Sequence, residues 1–108
     1  MSKFDDFLRE ITRGANLLAN RTFKRGRDEA KKIIKGHLDN SEERLKRWAR
    51  LLANGELSED EFKLLVNNQV TLGRMRLRTI RVIGKKAALQ FRDNLRSLIL
   101  DAAKAAFL

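Results

Sequence analysis

The chain has 108 residues, which fits one domain or one simple repeating subunit, and its 43% hydrophobic content excludes a disordered polyelectrolyte. A formal net charge of +10 and a pI near 10.7 favour anionic polymers or anionic lipid surfaces as partners. The absence of cysteine excludes disulfides and thiolate chemistry. No apolar run approaches the roughly 18 residues of a membrane span, and the N-terminus carries acids where a signal peptide would be basic and then apolar. We therefore expect a soluble, cytoplasmic protein.

The first half of the chain shows a helical pattern, because apolar residues recur in steps of three and four from Phe4 to Leu18 and again from Ile33. Proline is absent throughout, which permits long helices. The pattern predicts a first helical arm over residues 3–53. A break within residues 36–41 is an open alternative and would give three helices, since Gly36 weakens a helix by roughly 1 kcal/mol relative to alanine and Ser41 could cap a new one.

A tight turn is predicted over residues 54–58. Asn54 and Gly55 tolerate the left-handed backbone with which many helices end. Ser58 followed by Glu61 has the spacing of a capping box, in which two side chains satisfy backbone N–H groups at the start of a helix. The segment therefore predicts a helix, a turn and a second helix that begins at residue 59.

The second arm is predicted over residues 59–107, where the helical spacing of apolar residues continues to the end of the chain. Within it, the stretch LGRMRLRTIRVIGKK also has features of a strand, because its arginines alternate and four of its residues are β-branched. A strand needs a partner, and no other segment has the pattern of a strand. We therefore predict an all-α protein built as a long antiparallel helical hairpin.

Basic residues of the second arm would form one ridge about 33 Å long on a continuous helix. The ridge residues are Arg74, Arg78, Arg81, Lys85, Arg92 and Arg96. No acidic residue lies between Glu61 and Asp93. Because like charges at helical spacing oppose the helix, the neutralising charge is expected to come from outside the segment.

The hairpin would place this ridge beside a basic cluster of the first arm. That cluster comprises Arg21, Lys24, Arg25, Arg27, Lys31, Lys32 and Lys35. The combined cationic surface predicts binding to the phosphate backbones of nucleic acid, either DNA or RNA, by charge neutralisation and counterion release. Aromatic residues make up only 6% of the chain and no base-reading motif is present, so we expect little sequence specificity, as in coating or packaging proteins.

Two other interpretations remain open. The basic residues could pair with acids of another subunit, which would make the protein a structural, self-assembling subunit of a filament, tube or shell. The candidate acids are Asp39, Glu42, Glu43, Glu56, Glu59, Asp60 and Glu61. Peripheral binding to an anionic membrane is the third interpretation, although the acids near the N-terminus oppose it.

We expect no enzymatic activity, cofactor, metal or small-molecule substrate. His37 is the only histidine and has no cysteine or second histidine to complete a metal site. The clustered carboxylates of residues 56–61 fall where a helix start favours acids for dipole reasons.

The chain is expected to be a homo-oligomer. Two helices about 70 Å long cannot bury a wide apolar face in a single contact, so a four-helix bundle dimer or a larger array would be needed.

Overall fold

The computed structural model describes residues 3–108, and its regular structure is entirely helical, which confirms the all-α prediction. Four helices follow one another along the chain: α1 (Lys3–Thr22), α2 (Arg27–Ala53), α3 (Glu59–Leu77) and α4 (Lys85–Phe107). None of these helices is both long and apolar enough to cross a bilayer.

The helices form an up-down-up-down bundle in which each helix packs against its two neighbours and α1 packs against α4. The described residues extend over 42 × 27 × 20 Å. At one end, here called the turn end, the α2–α3 turn lies with the start of α1 and the end of α4, where the rings of Phe4 and Phe107 stack 5.1 Å apart. At the other, the loop end, residues 23–26 join α1 to α2 and residues 78–84 join α3 to α4.

The core runs the length of the bundle and combines large apolar side chains with alanines. Phe7, Ile11, Leu45 and Leu77 are almost fully buried among the helices. Alanines at inward positions of α1, α2 and α4 let the helix backbones approach closely, because they add no side chain beyond Cβ. The wide apolar faces seen in the sequence are therefore buried within one chain.

The first predicted arm is interrupted, but not where the sequence suggested. A break within residues 36–41 is wrong, because α2 continues through them and Ser41 donates a hydrogen bond to the carbonyl of His37 one turn earlier (2.6 Å). The chain bends instead at Gly26, whose φ of +68° lies in the left-handed region. Phe23, three residues before Gly26, points inward and is buried.

The second predicted arm is also interrupted, since residues 78–84 form turns rather than helix. The three-residue spacing of Leu77, Ile80 and Ile83 mimics a helix face, yet these side chains point into the core because the backbone folds over the end of the bundle. The β-branched residues of this segment, which favour extended backbone over helix, are the local cause. A continuous hairpin of two arms is thus replaced by four shorter helices.

The predicted turn over residues 54–58 is confirmed. The Ser58 hydroxyl accepts a hydrogen bond from the backbone N–H of Glu61, and the Glu61 carboxylate accepts one from the N–H of Ser58, both at 3.1 Å. The backbone N–H of Ser58, and to a lesser extent its hydroxyl, stabilise the Glu61 carboxylate and lower the pKa of Glu61. Gly55 adopts a φ of +75° and completes the end of α2.

Candidate nucleic-acid interface

The two connections at the loop end pack directly against each other. Gly26 makes this possible, because a Cβ atom at its position would lie 2.8 Å from Cγ2 of Val82 and 3.1 Å from Cγ2 of Ile80. Beneath this contact the rings of Phe23 and Phe91 lie 5.4 Å apart. Residues separated by more than fifty positions in the sequence are thereby held side by side.

Local hydrogen bonds fix the shape of both connections. The Arg27 guanidinium donates from Nε to the carbonyl of Phe23 (2.9 Å), which satisfies a backbone acceptor near the end of α1. The Thr79 hydroxyl donates to the carbonyl of Arg76 (2.7 Å), and the backbone N–H of Ile83 donates to the carbonyl of Ile80 (3.1 Å). The basic side chains at this end are therefore carried on a defined backbone.

Six of the thirteen basic residues predicted for the site come together here, and all six are exposed. They are Lys24, Arg25, Arg27, Arg78, Arg81 and Lys85. Lys86 joins them, although it was absent from the predicted ridge. The acids nearest in sequence are Asp28 and Glu29, in the first turn of α2. We call these seven basic residues the cationic end.

The other seven predicted residues are carried by the four helices rather than by the two connections. Lys31, Lys32 and Lys35 border a groove between α1 and α2, and Arg21 borders a groove between α1 and α4. The remaining three are on the α3 and α4 side: Arg74, Arg92 and Arg96. The single ridge is wrong because the non-helical residues 78–84 break the register between Arg74 and the arginines of α4.

Two of the arginines outside the cationic end already have polar partners. The Arg92 guanidinium donates to Asp93 Oδ1 (2.9 Å), and Arg96 donates from Nη1 to Asn67 Oδ1 (3.0 Å). Both side chains are partly buried. They contribute to the packing of α4 and are less available to a ligand than the residues of the cationic end.

The start of α4 is electrostatically unusual. Its first turn contains Lys85 and Lys86 and no acid, and Gly84 before it provides no side-chain acceptor. Cations at the positive end of a helix dipole cost about 0.3–1 kcal/mol each. By contrast, the first turn of α3 has three acids and a capping box. Backbone N–H groups and lysines together at the start of α4 form an arrangement that attracts anions.

A separate polar cluster lies in the core between α2 and α3. His37 Nε2 lies 2.9 Å from the carbonyl oxygen of Gln69, so Nε2 carries the proton and donates it. The Gln69 side chain donates to the hydroxyl of Ser41 (2.6 Å). His37 fits there because Gly73 has no side chain, since a Cβ atom on Gly73 would lie 3.0 Å from the imidazole ring. Nδ1 of His37 is buried without a hydrogen-bond partner.

The burial of His37 makes the stability of the fold dependent on pH. Desolvation lowers the pKa of His37, the hydrogen bond to Gln69 opposes this effect, and the charges of Arg76 and Arg44 lower it further. The unfolded chain then binds a proton more readily than the folded chain. We predict that the free energy of unfolding is constant above about pH 6.5 and falls below it, by at most about 1.4 kcal/mol per pH unit.

Chemical denaturation at about pH 7.5 and pH 5.5 measures this effect, since the chain has a single histidine and no other side chain has an ordinary pKa in that range. The variant His37→Asn is the control, because its amide can donate to Gln69 but does not titrate. An equal loss of stability in the variant would contradict the assignment to His37.

The fold thus belongs to the class of up-down-up-down four-helix bundles, with the cationic end opposite the turn end. No group of three or more potential metal-ligating side chains occurs within residues 3–108. Comparison of the chain with protein-family models, curated proteins and solved structures gave no match.

Proposed function

We propose that this protein is a non-enzymatic binder of nucleic acid backbones that acts through the cationic end and has little sequence specificity. The observation that supports this most strongly is the contact of Gly26 with Ile80 and Val82, because it joins two basic segments that are remote in the sequence. Seven exposed bases then lie at one end of the bundle, where a phosphate backbone can meet them together.

The energetic cost of the cationic end also supports binding to an anion. Like charges at the end of a bundle repel one another, and the lysines at the start of α4 oppose the helix dipole. No ion pair to Lys24, Arg25, Arg78 or Arg81 occurs in the described part of the chain. Double-stranded DNA has one charge per ~1.7 Å of axis and would supply the missing counter-charge.

The salt dependence of binding to a random-sequence DNA duplex is the primary test. For the unmodified chain we expect log K to fall linearly with log salt, with a slope near −0.9 per phosphate contacted. Arg25→Gln/Arg81→Gln removes one base from each connection. It should reduce the steepness of the slope by about 1.8 and the affinity at 0.1 M salt by roughly 60-fold, since each contact contributes a factor of about 8 there.

The matched control is Arg47→Gln/Lys63→Gln, which removes the same charge from exposed positions outside the cationic end. It should change the slope by much less, because neither residue belongs to either basic connection. Equal effects of the two double variants would mean that net charge alone attracts the duplex. Repeating the titration with an RNA duplex and with anionic vesicles tests the alternative anionic partners.

A structural role is the second candidate, and the exposed acids of the turn end favour it. Glu56, Glu59 and Asp60 lie at the opposite end of the bundle from the bases. A head-to-tail contact between these ends would not close on itself and would build an open filament. In that case large assemblies should form without nucleic acid and dissociate as salt rises, and no duplex should be retained at low salt.

We also propose that the chain self-associates, but the reason differs from the one that the sequence suggested. The wide apolar faces are already buried within one chain, so they no longer require a second subunit. The apolar residues that stay exposed on the bundle are the remaining basis for a homo-oligomer.

A further inference from the structure

An open groove follows the seam between α1 and α2 on the outside of the bundle, and we call it the α1–α2 groove. Its volume is about 410 Å³. Its floor is apolar and consists of Ala15 and Ala19 from α1 with Ile34 and Leu38 from α2. The two alanines leave the groove open, because they have no atoms beyond Cβ. A volume of this size lies in the range of small-molecule sites, roughly 300–1,000 Å³.

Basic side chains line the rim of this groove, and no acidic side chain within residues 3–108 lines the same part of it. The rim bases are Arg13, Lys31, Lys32 and Lys35. None of the four forms an ion pair in the described part of the chain, although Asp28 and Glu29 are exposed in the first turn of α2. Lysine stems pack along apolar surface while their ammonium groups stay in water. The rim therefore offers unpaired positive charge above an apolar floor.

The charge along the groove changes towards the turn end. There the groove continues as a smaller depression of about 130 Å³, which shares Thr12 and Leu38 with the basic part. Leu8 and Leu45 are among the apolar side chains that line it. The charged side chains at its border are one base and two acids: Arg9, Asp39 and Glu42. An anionic group is thus favoured at the loop-end part of the groove and disfavoured at the turn-end part.

We infer that the α1–α2 groove binds an anionic amphiphile, which is a single alkyl chain that ends in a carboxylate or a phosphate. The alkyl chain lies on the floor formed by Ala15, Ile34 and Leu38. The head group lies among the lysines near the start of α2, where it supplies the counter-charge that the chain lacks. The acids farther along the groove orient the ligand with its tail towards the turn end.

The combination of floor and rim selects this ligand over other anions. A phosphate backbone of nucleic acid would use the bases but leave the apolar floor in water. A docked acidic helix fits less well, because the basic part from Lys31 to Leu38 is only about 10 Å long, or two helical turns. A longer acidic helix would run on to Asp39 and Glu42, which repel it. A short amphiphile uses the floor and the rim together.

Titration of the isotope-labelled chain with laurate, followed by amide chemical shifts in NMR, tests the site directly. The chain is small enough for this method at 12.5 kDa, and laurate is kept below its critical micelle concentration. We expect saturable shifts at amides around Ala15, Ala19, Ile34 and Leu38, with a dissociation constant on the order of 0.1 mM. Shifts that do not saturate, or that are confined to the cationic end, would overturn the inference.

Two other amphiphiles with the same alkyl chain test the role of the head group. Dodecyl phosphate should shift the same amides as laurate, and the tighter of the two identifies the preferred anionic head group. Dodecyltrimethylammonium has the opposite charge and should bind about tenfold more weakly or less. Equal affinity for the cation and for laurate would mean that the rim does not select charge, which contradicts the inference.

Substitutions at the rim should weaken laurate binding without unfolding the chain. Lys31→Gln/Lys35→Gln should lower the affinity on the order of tenfold, whereas Arg44→Gln/Arg47→Gln, at exposed positions of α2 outside the groove, should not change it. Circular dichroism checks that both variants stay helical. Unchanged affinity in the folded Lys31→Gln/Lys35→Gln variant would contradict the assignment of the head group.

An isosteric pair of substitutions separates the local charge from the net charge. Asn16 is exposed and lines the groove, so Asn16→Asp should weaken laurate binding at least about threefold by repelling or replacing the head group. Asn40→Asp changes the net charge equally at an exposed position of α2 outside the groove. Equal effects of the two variants would mean that net charge alone attracts laurate.

This inference does not rest on the cationic end, and the two proposals can fail separately. Arg25→Gln/Arg81→Gln should leave laurate affinity unchanged while it weakens duplex binding. Absence of duplex binding would leave the laurate titration interpretable, and absence of laurate binding would leave the salt dependence of duplex binding unaffected. If Arg25→Gln/Arg81→Gln weakened laurate binding as much as Lys31→Gln/Lys35→Gln, the α1–α2 groove would not be the site.

Discussion

Gly26→Ala should destabilise the bundle by about 2–4 kcal/mol and also weaken binding to a DNA duplex. The left-handed backbone at residue 26 costs an alanine roughly 1–2 kcal/mol. The added Cβ would also lie 2.8 Å from Cγ2 of Val82 and 3.1 Å from Cγ2 of Ile80. Val82 is exposed and can move, but Ile80 is buried, so relieving the overlap separates the two connections and adds about 1–2 kcal/mol.

Gly55→Ala provides a matched control for this substitution. Gly55 has a φ of +75°, but no atom outside its immediate neighbours lies within 4 Å of the position of its Cβ. The control therefore has the same kind of backbone strain without the steric overlap, and it lies at the turn end of the bundle. Its loss of stability should be limited to roughly 1–2 kcal/mol, and its affinity for a duplex should be unchanged.

Chemical denaturation measures the two stabilities, and duplex titration at 0.1 M salt measures the affinities. We expect Gly26→Ala to bind at least about eightfold more weakly, which is the contribution of one phosphate contact under these conditions. If both variants lose equal stability and keep full affinity, the contact between the two connections does not organise the cationic end.

The sequence predicted the helical class and the turn at residues 54–58 because the signals for both are local. Helical spacing reports which face of a segment is apolar, and a capping box is complete within four residues. The break at Gly26 was harder to predict, because Gly36 is equally a glycine within a weakened helical pattern. Only the packing around the two glycines distinguishes them. Gly26 packs against the other connection, whereas no atom from elsewhere in the fold lies within 4 Å of the Cβ position of Gly36.

The sequence predicted that basic residues form the candidate site, but it predicted their relative positions only in part. The two basic clusters do meet, because the turn at Gly55 reverses the chain as expected. Their members divide among several faces, however, because residues 78–84 are not helical and α4 runs back antiparallel to α3. The sequence signal for this interruption was the run of β-branched residues, which favour extended backbone: Thr79, Ile80, Val82 and Ile83. Lys86 was missed because it lies off the ridge that a continuous helix would have formed.

The start of α4 offers a substitution for which stability and binding should change in opposite directions. Lys85→Glu/Lys86→Glu replaces two cations with two anions at the positive end of the helix dipole. Each replacement removes an unfavourable interaction and adds a favourable one, each of about 0.3–1 kcal/mol, so the bundle should gain about 1–4 kcal/mol in total. Affinity for a duplex at 0.1 M salt should fall by roughly 60-fold or more, since two phosphate contacts are lost and two repulsions are added.

Thermal denaturation and duplex titration of the same preparation test both parts of this prediction. Glu59→Lys/Asp60→Lys is the converse control, because it places two cations in the first turn of α3, which already has a capping box and lies at the turn end. It should lower stability through the same dipole effect without strengthening the cationic end. A chain whose bases served only to hold its own fold would gain no stability from Lys85→Glu/Lys86→Glu. A gain in stability with loss of affinity would instead mean that the two lysines are kept at a cost to the fold because an anionic ligand requires them.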